Sequence, residues 1–328
     1  MNKPSPSSFS NFDKRELEPS EILQEAIDDY NVDSFYVAYS GGKDSGIVLD
    51  YVAKNFPKQF KGAMFCNTGI AVKECVNFVR EHCKKKNYPL FEVKTSDVLR
   101  KKDNKYGRKK GEPFTFEDLV LQIGFPKQSM HDKVMGVLKK QPMRQFINKR
   151  MEAGEKCGII AGVRKKESKR RSMKSKKHIF KHEGGAYFIS PLFYKTNSWV
   201  SEYYIKNDIK RSPVYDTLHI SGDCLCGCFA QKEELKLLEM FHPETFNEIK
   251  RLEQELMKRG REYAKLYKTW GTNKEGLATQ NISAQTELEE FVCSECYFDR
   301  DSKQEDTERF DNELKDIEEK LNHLSSKS

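Results

Sequence analysis

The chain has 328 residues, 37% of them hydrophobic and 33% charged, with a formal net charge of +8. A chain of this length buries roughly 75% of its unfolded surface, which excludes disorder throughout and leaves room for one large domain with additions or for two domains. No apolar run approaches the roughly 20 residues that span a bilayer, and the opening MNKPSPSSFSNFDKRELEPS lacks the apolar core of a secretion signal, so no membrane association and a cytoplasmic location are expected.

Residues 1–18 are Ser/Pro-rich and polar and are expected to form a flexible arm. A strand, loop, helix pattern then begins. The β-prone run SFYVAY (34–39) passes into SGGKDS (40–45), and Ile47, Val48, Leu49, Val52, Ala53 and Phe56 follow with the spacing of a buried helix face. FKGAMFC (60–66) reads as a second strand, residues 72–86 as a second helix, and PLFEVK (89–94) as a third strand. Strands alternating with helices at this spacing predict an α/β fold, a parallel Rossmann-like sheet with helices on its faces.

Residues 99–113 are too charged and Gly-rich for a core and are read as a basic loop. Leu119, Val120, Ile123 and Phe125 lead to a Gly-Phe-Pro turn, and CGIIAGV (157–163) is read as another central strand with a basic stretch after it. YFISPLF (187–193) precedes an expected helix around WVSEYYIKN, and residues 231–268 read as mostly helical, with Pro243 near a helix start. In the tail, Phe310, Leu314, Ile317, Leu321 and Leu324 form an amphipathic stripe. It suits a docking or homodimer helix, and equally one packed on its own domain. The expected organisation is an arm (1–18), a nucleotide-binding α/β domain (19–222), a helical cysteine-bearing region (223–300) and a C-terminal helix (301–328).

Charge is unevenly spread. Residues 100–181 hold 25 basic and 8 acidic side chains, and the rest of the chain has an acidic excess. Such a band suits an anionic partner, a nucleotide or a nucleic acid, although solvated loop lysines give similar runs. The nine cysteines are uneven too. Cys66, Cys75, Cys83 and Cys157 are scattered and read as buried hydrophobes, whereas Cys224, Cys226 and Cys228 crowd together and Cys293 and Cys296 form a CxxC pair. In a cytosolic protein these do not read as disulfides.

The most informative segment is Ser40-Gly41-Gly42-Lys43-Asp44-Ser45, between an apolar strand and an amphipathic helix. There the free N–H groups of a helix start and its positive dipole end converge. The two glycines let backbone approach an anion, Ser40 and Ser45 add hydroxyls, and Lys43 adds charge. The segment is built for phosphate or pyrophosphate. It is not a Walker A loop, because Val37 stands where that motif has Gly and Asp44 where it has Ser or Thr. An ordinary Gly-Gly turn capped by Asp44 is the plainer reading.

SGGKDS on this scaffold resembles the PP-loop of the adenine-nucleotide α-hydrolase superfamily, which grips the pyrophosphate of ATP or a related nucleotide. Phe65-Cys66-Asn67-Thr68-Gly69-Ile70, with Glu74 after it, resembles the second-strand motif of the phosphoadenosine phosphosulfate (PAPS) reductase family, many members of which carry Asp at the place of Asn67. Gly124-Phe125-Pro126 with Leu138-Lys139-Lys140-Gln141-Pro142, and Gly162-Val163-Arg164 with Glu167, Ser168 and Arg171, are similar to further segments of that family. So are Ser190-Pro191-Leu192, Trp199 and Ser212-Pro213-Val214-Tyr215. The resemblance covers residues 30–255.

It implies Lys43, Asp44, Arg164 and Arg171 as catalytic residues. It implies nucleotide contacts from Ser40, Gly41, Gly42, Lys43 and Ser45, and from Asn67, Thr68, Gly162 and Glu167. Arg164 and Arg171 also follow a central strand, where open α/β sheets bind ligands, and arginine grips phosphate with two donors. Glu167 could hold Arg164 or assist Mg2+, or form an ordinary surface pair. The seven histidines show no metal spacing, His178 and His182 included.

Cys224, Cys226 and Cys228 with Cys293 and Cys296 make two thiol clusters joined by a long chain, the pattern of a four-thiolate metal site. The same ligands suit a [4Fe–4S] cluster or zinc. The family contains iron–sulfur members with cysteines at both places, which favours the cluster. One of the five thiols is spare, a sulfur carrier or a buried thiol.

The expected function is an ATP pyrophosphatase in sulfur transfer. ATP with Mg2+ sits on residues 40–45, an acceptor oxygen attacks the α-phosphorus, and a sulfur donor then displaces AMP; the basic band binds the acceptor, tRNA or DNA. The alternative is a reductase of PAPS or adenosine phosphosulfate supplied by a thiol reductant. Residues 297–328 contain no cysteine, so the thiosulfonate route on a C-terminal cysteine is not expected. A third reading is a nucleotide-responsive binding protein with a structural metal.

Overall fold

The computed structural model describes residues 16–100, 109–165, 177–181, 185–230, 232–259 and 268–271. Glu167, Ser168, Arg171, His182, Cys293, Cys296 and the stripe from Phe310 to Leu324 lie outside the described residues, as do most of the expected arm and the middle of the basic loop.

The chain enters through a helix that the hydrophobic pattern alone did not suggest, α1 (Pro19–Asp28). Proline is favourable in a first turn, and the Glu21 carboxylate accepts from the Glu18 N–H at 2.8 Å there while Ile22, Leu23 and Ala26 bury one face. Strand β1 (Ser34–Ala38), helix α2 (Lys43–Asn55), strand β2 (Phe60–Asn67), helix α3 (Lys73–Lys85) and strand β3 (Leu90–Lys94) then follow as the alternation predicted. Strand β4 (Cys157–Ile160) pairs with β1 on the side away from β2. A short antiparallel edge strand, β5 (Ile179–Lys181), precedes β6 (Tyr187–Ile189), and the sheet order is β3-β2-β1-β4-β6-β5. The sheet is therefore mostly parallel, with one antiparallel edge. Its strand order reverses between β1 and β4, and open α/β sheets bind ligands beyond the strand ends at such a switch point.

Period-two alternation assigns the faces. Phe35 and Val37 of β1 point to one core with Ile47, Leu49 and Val79, whereas Tyr36 joins Met64, Ile159 and Phe188 on the other. That second face is covered by α6 (Gln141–Glu152), which contributes Met143 and Ile147. Before it, α4 (Phe116–Ile123), α5 (His131–Met135) and a π-helical turn (136–140) pack instead in a separate core with the cysteine segment 224–230, and nothing in the sequence periodicity marks this stretch. Pro142 has no N–H to give the carbonyl of Leu138, and the Thr95 hydroxyl donates to that oxygen instead at 2.9 Å. The widened turn leaves Lys139 buried.

Helix α7 (Asn197–Lys206) and the short helix α8 (Tyr215–Leu218) lead to the cysteine turn, after which α9 (Lys232–Phe241) and α10 (Pro243–Lys258) pack on α4. The basic loop is closed at its base. Leu99 bridges to Pro113, and the buried Arg100 guanidinium pairs with the buried Asp118 carboxylate. Burial pushes the Asp118 carboxyl up, but hydrogen bonds from Arg100 and Thr115 outweigh it and hold it below the usual range. Among the described residues no helix is long and apolar enough to cross a membrane.

Candidate nucleotide and thiol site

β1 ends at Ala38, and the chain turns through Gly41 at φ +85° into α2. A Cβ at Gly41 would stand 3.2 Å from Val79 and 3.5 Å from Ser212, so the turn is both left-handed and tightly packed. The Ser212 N–H donates to the Gly41 carbonyl at 2.7 Å, and the Cys75 thiol to the Ser40 carbonyl at 3.3 Å. Inside the turn the hydroxyls of Ser40 and Ser45 lie 3.0 Å apart. Ser40 Oγ accepts from Gly42 N–H, and Ser45 Oγ donates to the Gly42 carbonyl.

The N-cap of α2 is Gly42, which offers no side chain to the first-turn N–H groups. Those donors, at Lys43, Asp44 and Ser45, are the ones an anion would meet. Asp44 does not cap the helix either. Its Oδ2 accepts from Arg164 Nε at 2.8 Å, and its Oδ1 is buried with no hydrogen-bond partner. A bound cation or a ligand donor would satisfy that oxygen.

From the neighbouring strand, Gly162 and Arg164 reach the same place. A Cβ on Gly162 would lie 2.8 Å from the Asp44 carbonyl carbon and 3.0 Å from Ser45 N. Arg164 is 4% exposed, and its Nη1 donates to Asn197 Oδ1 at 2.6 Å. Asn197, the first residue of α7, carries no motif that would reveal it in the sequence.

Asn67 and Thr68 sit at the end of β2. Asn67 Oδ1 accepts from Gly69 N–H at 3.1 Å, and its amide donates to Glu92 Oε1 at 2.9 Å. Glu92 is also gripped by both Arg80 donors at 2.8 Å. An aspartate at 67 would face that carboxylate, which accounts for an amide at this place. The residue expected to touch nucleotide thus braces the β2 turn. Thr68 is fully buried, and its hydroxyl donates to the Asp223 carbonyl at 3.3 Å.

That bond joins the sheet to the cysteine turn. Val72 N–H donates to Gly222 O at 2.8 Å and Leu225 N–H to Ile70 O at 3.1 Å, so residues 222–225 run along the loop after β2. Cys224, Cys226 and Cys228 are buried and, with Glu234 and Trp270, line a small hollow that opens to solvent. Trp270 packs its indole on Gly227 and donates Nε1–H to the Leu225 carbonyl at 2.9 Å. Lys139 reaches in from the π turn and pairs with Asp223 at 2.6 Å. Burial disfavours that ammonium, but Asp223 and Cys224 more than compensate and keep it charged.

A hydrogen bond shared with Cys226, together with burial, pushes the Cys224 thiol well up. Cys224 pulls Cys226 down, but Cys228 and burial carry it up overall. Cys66, read as an isolated hydrophobe, has its thiol beside this group, and burial pushes it up to about 12. Three sulfurs within five residues are a thiophilic donor set. Among the described residues, however, no group of three or more His, Cys, Asp or Glu side chains is disposed to hold a metal ion by itself. A complete site there needs donors from outside them.

The family model of the phosphoadenosine phosphosulfate reductase domain matches residues 34–230, more than half of the chain. The chain belongs to this family. No curated protein matches the chain. Among solved structures, the phosphoadenylyl-sulfate reductase of Candida auris in its phosphate complex is 19% identical over 61% of this chain and 85% of that one, with a TM-score of 0.43. The U34-tRNA thiolase NcsA of Methanococcus maripaludis with its [4Fe-4S] cluster is 16% identical over 74% and 78%, at 0.36. The Candida glabrata FMN adenylyltransferase in complex with FMN and the ATP analog AMPCPP is 13% identical over 61% and 58%, at 0.39.

Within the family segment the structure brings Ser40 to Ser45, Gly162 and Arg164 together at one strand tip, with Thr68 and the cysteine turn at the next. Asn67 is close in the chain but turned to Glu92. His178, in the expected basic stretch, bonds Glu25 at 2.8 Å and Tyr194 at 3.2 Å, which ties the edge hairpin to α1.

Proposed function

We propose that the chain is an ATP pyrophosphatase of this family that adenylylates an acceptor for sulfur transfer, with a nucleic acid, tRNA or DNA, as the acceptor. One observation carries the reading. The glycine turn and the cysteine turn occupy the same carboxyl edge of the parallel sheet, and α3 and the 212–225 segment tie one to the other. A phosphate seat beside thiols is what activation by nucleotide followed by attack of sulfur requires.

The N–H groups at the start of α2, with Lys43, would hold the β- and γ-phosphates. The buried Oδ1 of Asp44 suits the cation partner those phosphates need, and Mg2+ would neutralise their charge there. An acceptor oxygen attacks the α-phosphorus, the bond to the β-phosphate breaks, and pyrophosphate leaves. The sulfur nucleophile then displaces AMP. These side chains contribute position and charge. Cys224, Cys226 and Cys228, with Cys293 and Cys296, would hold a [4Fe–4S] cluster or zinc, which when bound supplies a thiophilic centre beside the nucleotide. The basic residues between 100 and 181 would meet the acceptor's phosphates.

A second reading, reduction of PAPS or adenosine phosphosulfate by an external thiol, is favoured by the family match itself. Anaerobically purified full-length chain separates the two. With ATP, Mg2+ and tRNA or DNA, the first reading expects pyrophosphate, and AMP once a sulfide donor is added. Sulfite from PAPS or adenosine phosphosulfate with a thiol reductant, and no pyrophosphate from ATP, would replace it with the second.

A further inference from the structure

We infer that Arg164 is a positioning residue, which acts on a bound phosphate through Asp44 and the start of α2, not a direct phosphate ligand. The inference rests on the reading that the glycine turn seats a nucleotide's phosphates. A basic residue just past a central strand invites assignment as a phosphate grip. Here the side chain is almost wholly buried, and two of its nitrogens are committed to the protein: Nε to Asp44 at 2.8 Å and Nη1 to Asn197 at 2.6 Å. Asp44 is the second residue of α2, in the turn whose N–H groups face the anion.

The joint is also steric. Gly162 backbone abuts the Asp44 carbonyl and Ser45 N so closely that a Cβ would stand at 2.8–3.0 Å. β1 and β4 pair side by side up to Val37 and Ile160. Beyond their ends the Arg164–Asp44 ion pair and the Gly162 contact tie the two tips together again, across the switch point. A misplacement of about 1 Å at a reacting centre costs on the order of a hundredfold in rate, and this joint sets where the first-turn N–H groups stand. The fork of donors is planar and rigid, which a lysine ammonium cannot imitate.

The test is equilibrium binding of inorganic pyrophosphate and of ATP to the full chain. Arg164→Gln is expected to weaken both about tenfold or more in the wild-type background and less than about threefold when Asp44→Asn is already present. Equal losses in the two backgrounds would overturn the inference, because a direct grip does not need Asp44. Gly162→Ala removes no phosphate donor, yet it is expected to weaken binding about tenfold through the displaced helix start; unchanged affinity would count against the joint. Arg164→Lys keeps the charge and is expected to behave like Arg164→Gln, so full rescue would also overturn the inference. If Arg164→Gln does not fold, as judged by circular dichroism, Gly162→Ala and Arg164→Lys decide the matter. A wild-type chain that binds neither pyrophosphate, ATP nor PAPS fails one step earlier, at the glycine turn itself.

Discussion

Two turns on one sheet edge do opposite things with the same backbone freedom. The turn at Gly41 uses a left-handed glycine to leave polar N–H groups of a helix start uncapped, and its own hydroxyls close on each other. The turn at Gly222 and Gly227 uses left-handed glycines to bring apolar surface and thiols inward, under Val214, Val72 and Trp270. The first offers charge complementarity with almost no side chains; the second offers sulfur in a buried wall. Backbone N–H groups left uncapped at a helix start invite a ligand, whereas backbone that is paired presents its side chains.

Substitutions that exchange these properties should break the contrast, and the largest effect is expected at Gly41. Gly41→Val places a β-branched residue at positive φ against Val79, and pyrophosphate binding should fall about a hundredfold, since such strain is worth about 1–3 kcal/mol before any clash. Calorimetric titration of pyrophosphate reads this. Gly222→Ala pushes a Cβ to 2.7 Å from Val214 at φ +77°, which should cost about 2–4 kcal/mol of stability by denaturant titration and spare the Gly41 turn.

Asn67→Asp sharpens the comparison at the hinge between the two turns. It removes the amide donor to Glu92 and sets two carboxylates together, at a cost of about 1.5–3 kcal/mol at neutral pH. The sign with pH follows from Glu92. Arg80's hydrogen bond, against burial, holds its carboxyl below the ordinary 4.5. In the wild type that stabilisation is complete above pH 4.5 and is lost as pH falls through the lower folded value. The deficit of Asn67→Asp should therefore shrink in acid, when the repulsion is titrated away, and melting temperatures from pH 7 to 3 check it.

A smaller effect is expected of Trp270→Phe, which loses the bond to Leu225 at about 0.5–1.5 kcal/mol and should speed labelling of Cys224, Cys226 and Cys228. Smallest is the response of Cys83 and Cys157. Burial pushes both thiols up to about 12, so alkylation at pH 8 should reach them only after unfolding.

Legibility in the sequence followed the range of the interactions. The Gly41 turn could be read because strand, glycines and helix are contiguous and their chemistry is local. The parallel sheet was readable for the same reason, up to β4. α1 and the stretch 131–152 were missed: the first is short and rests on Pro19 and Glu21, and the second is interrupted by a π turn that breaks helical periodicity. The neighbours of Cys66 and Asn67, Cys224 and Glu92, come from remote segments and could not be read beside them. Asp44 was weighed as a cap, and Arg164, 120 residues away, takes it instead. Long-range pairing of this kind leaves no trace in spacing.

The central claim is that a nucleotide's linked phosphates rest on the N–H groups at the start of α2. Amide hydrogen exchange of the full chain with and without ATP and Mg2+ tests it most directly. The account predicts slowed exchange concentrated in residues 41–46, with a weaker echo around 162–164. Saturating nucleotide that leaves 41–46 unchanged while protecting another part of the surface would contradict it.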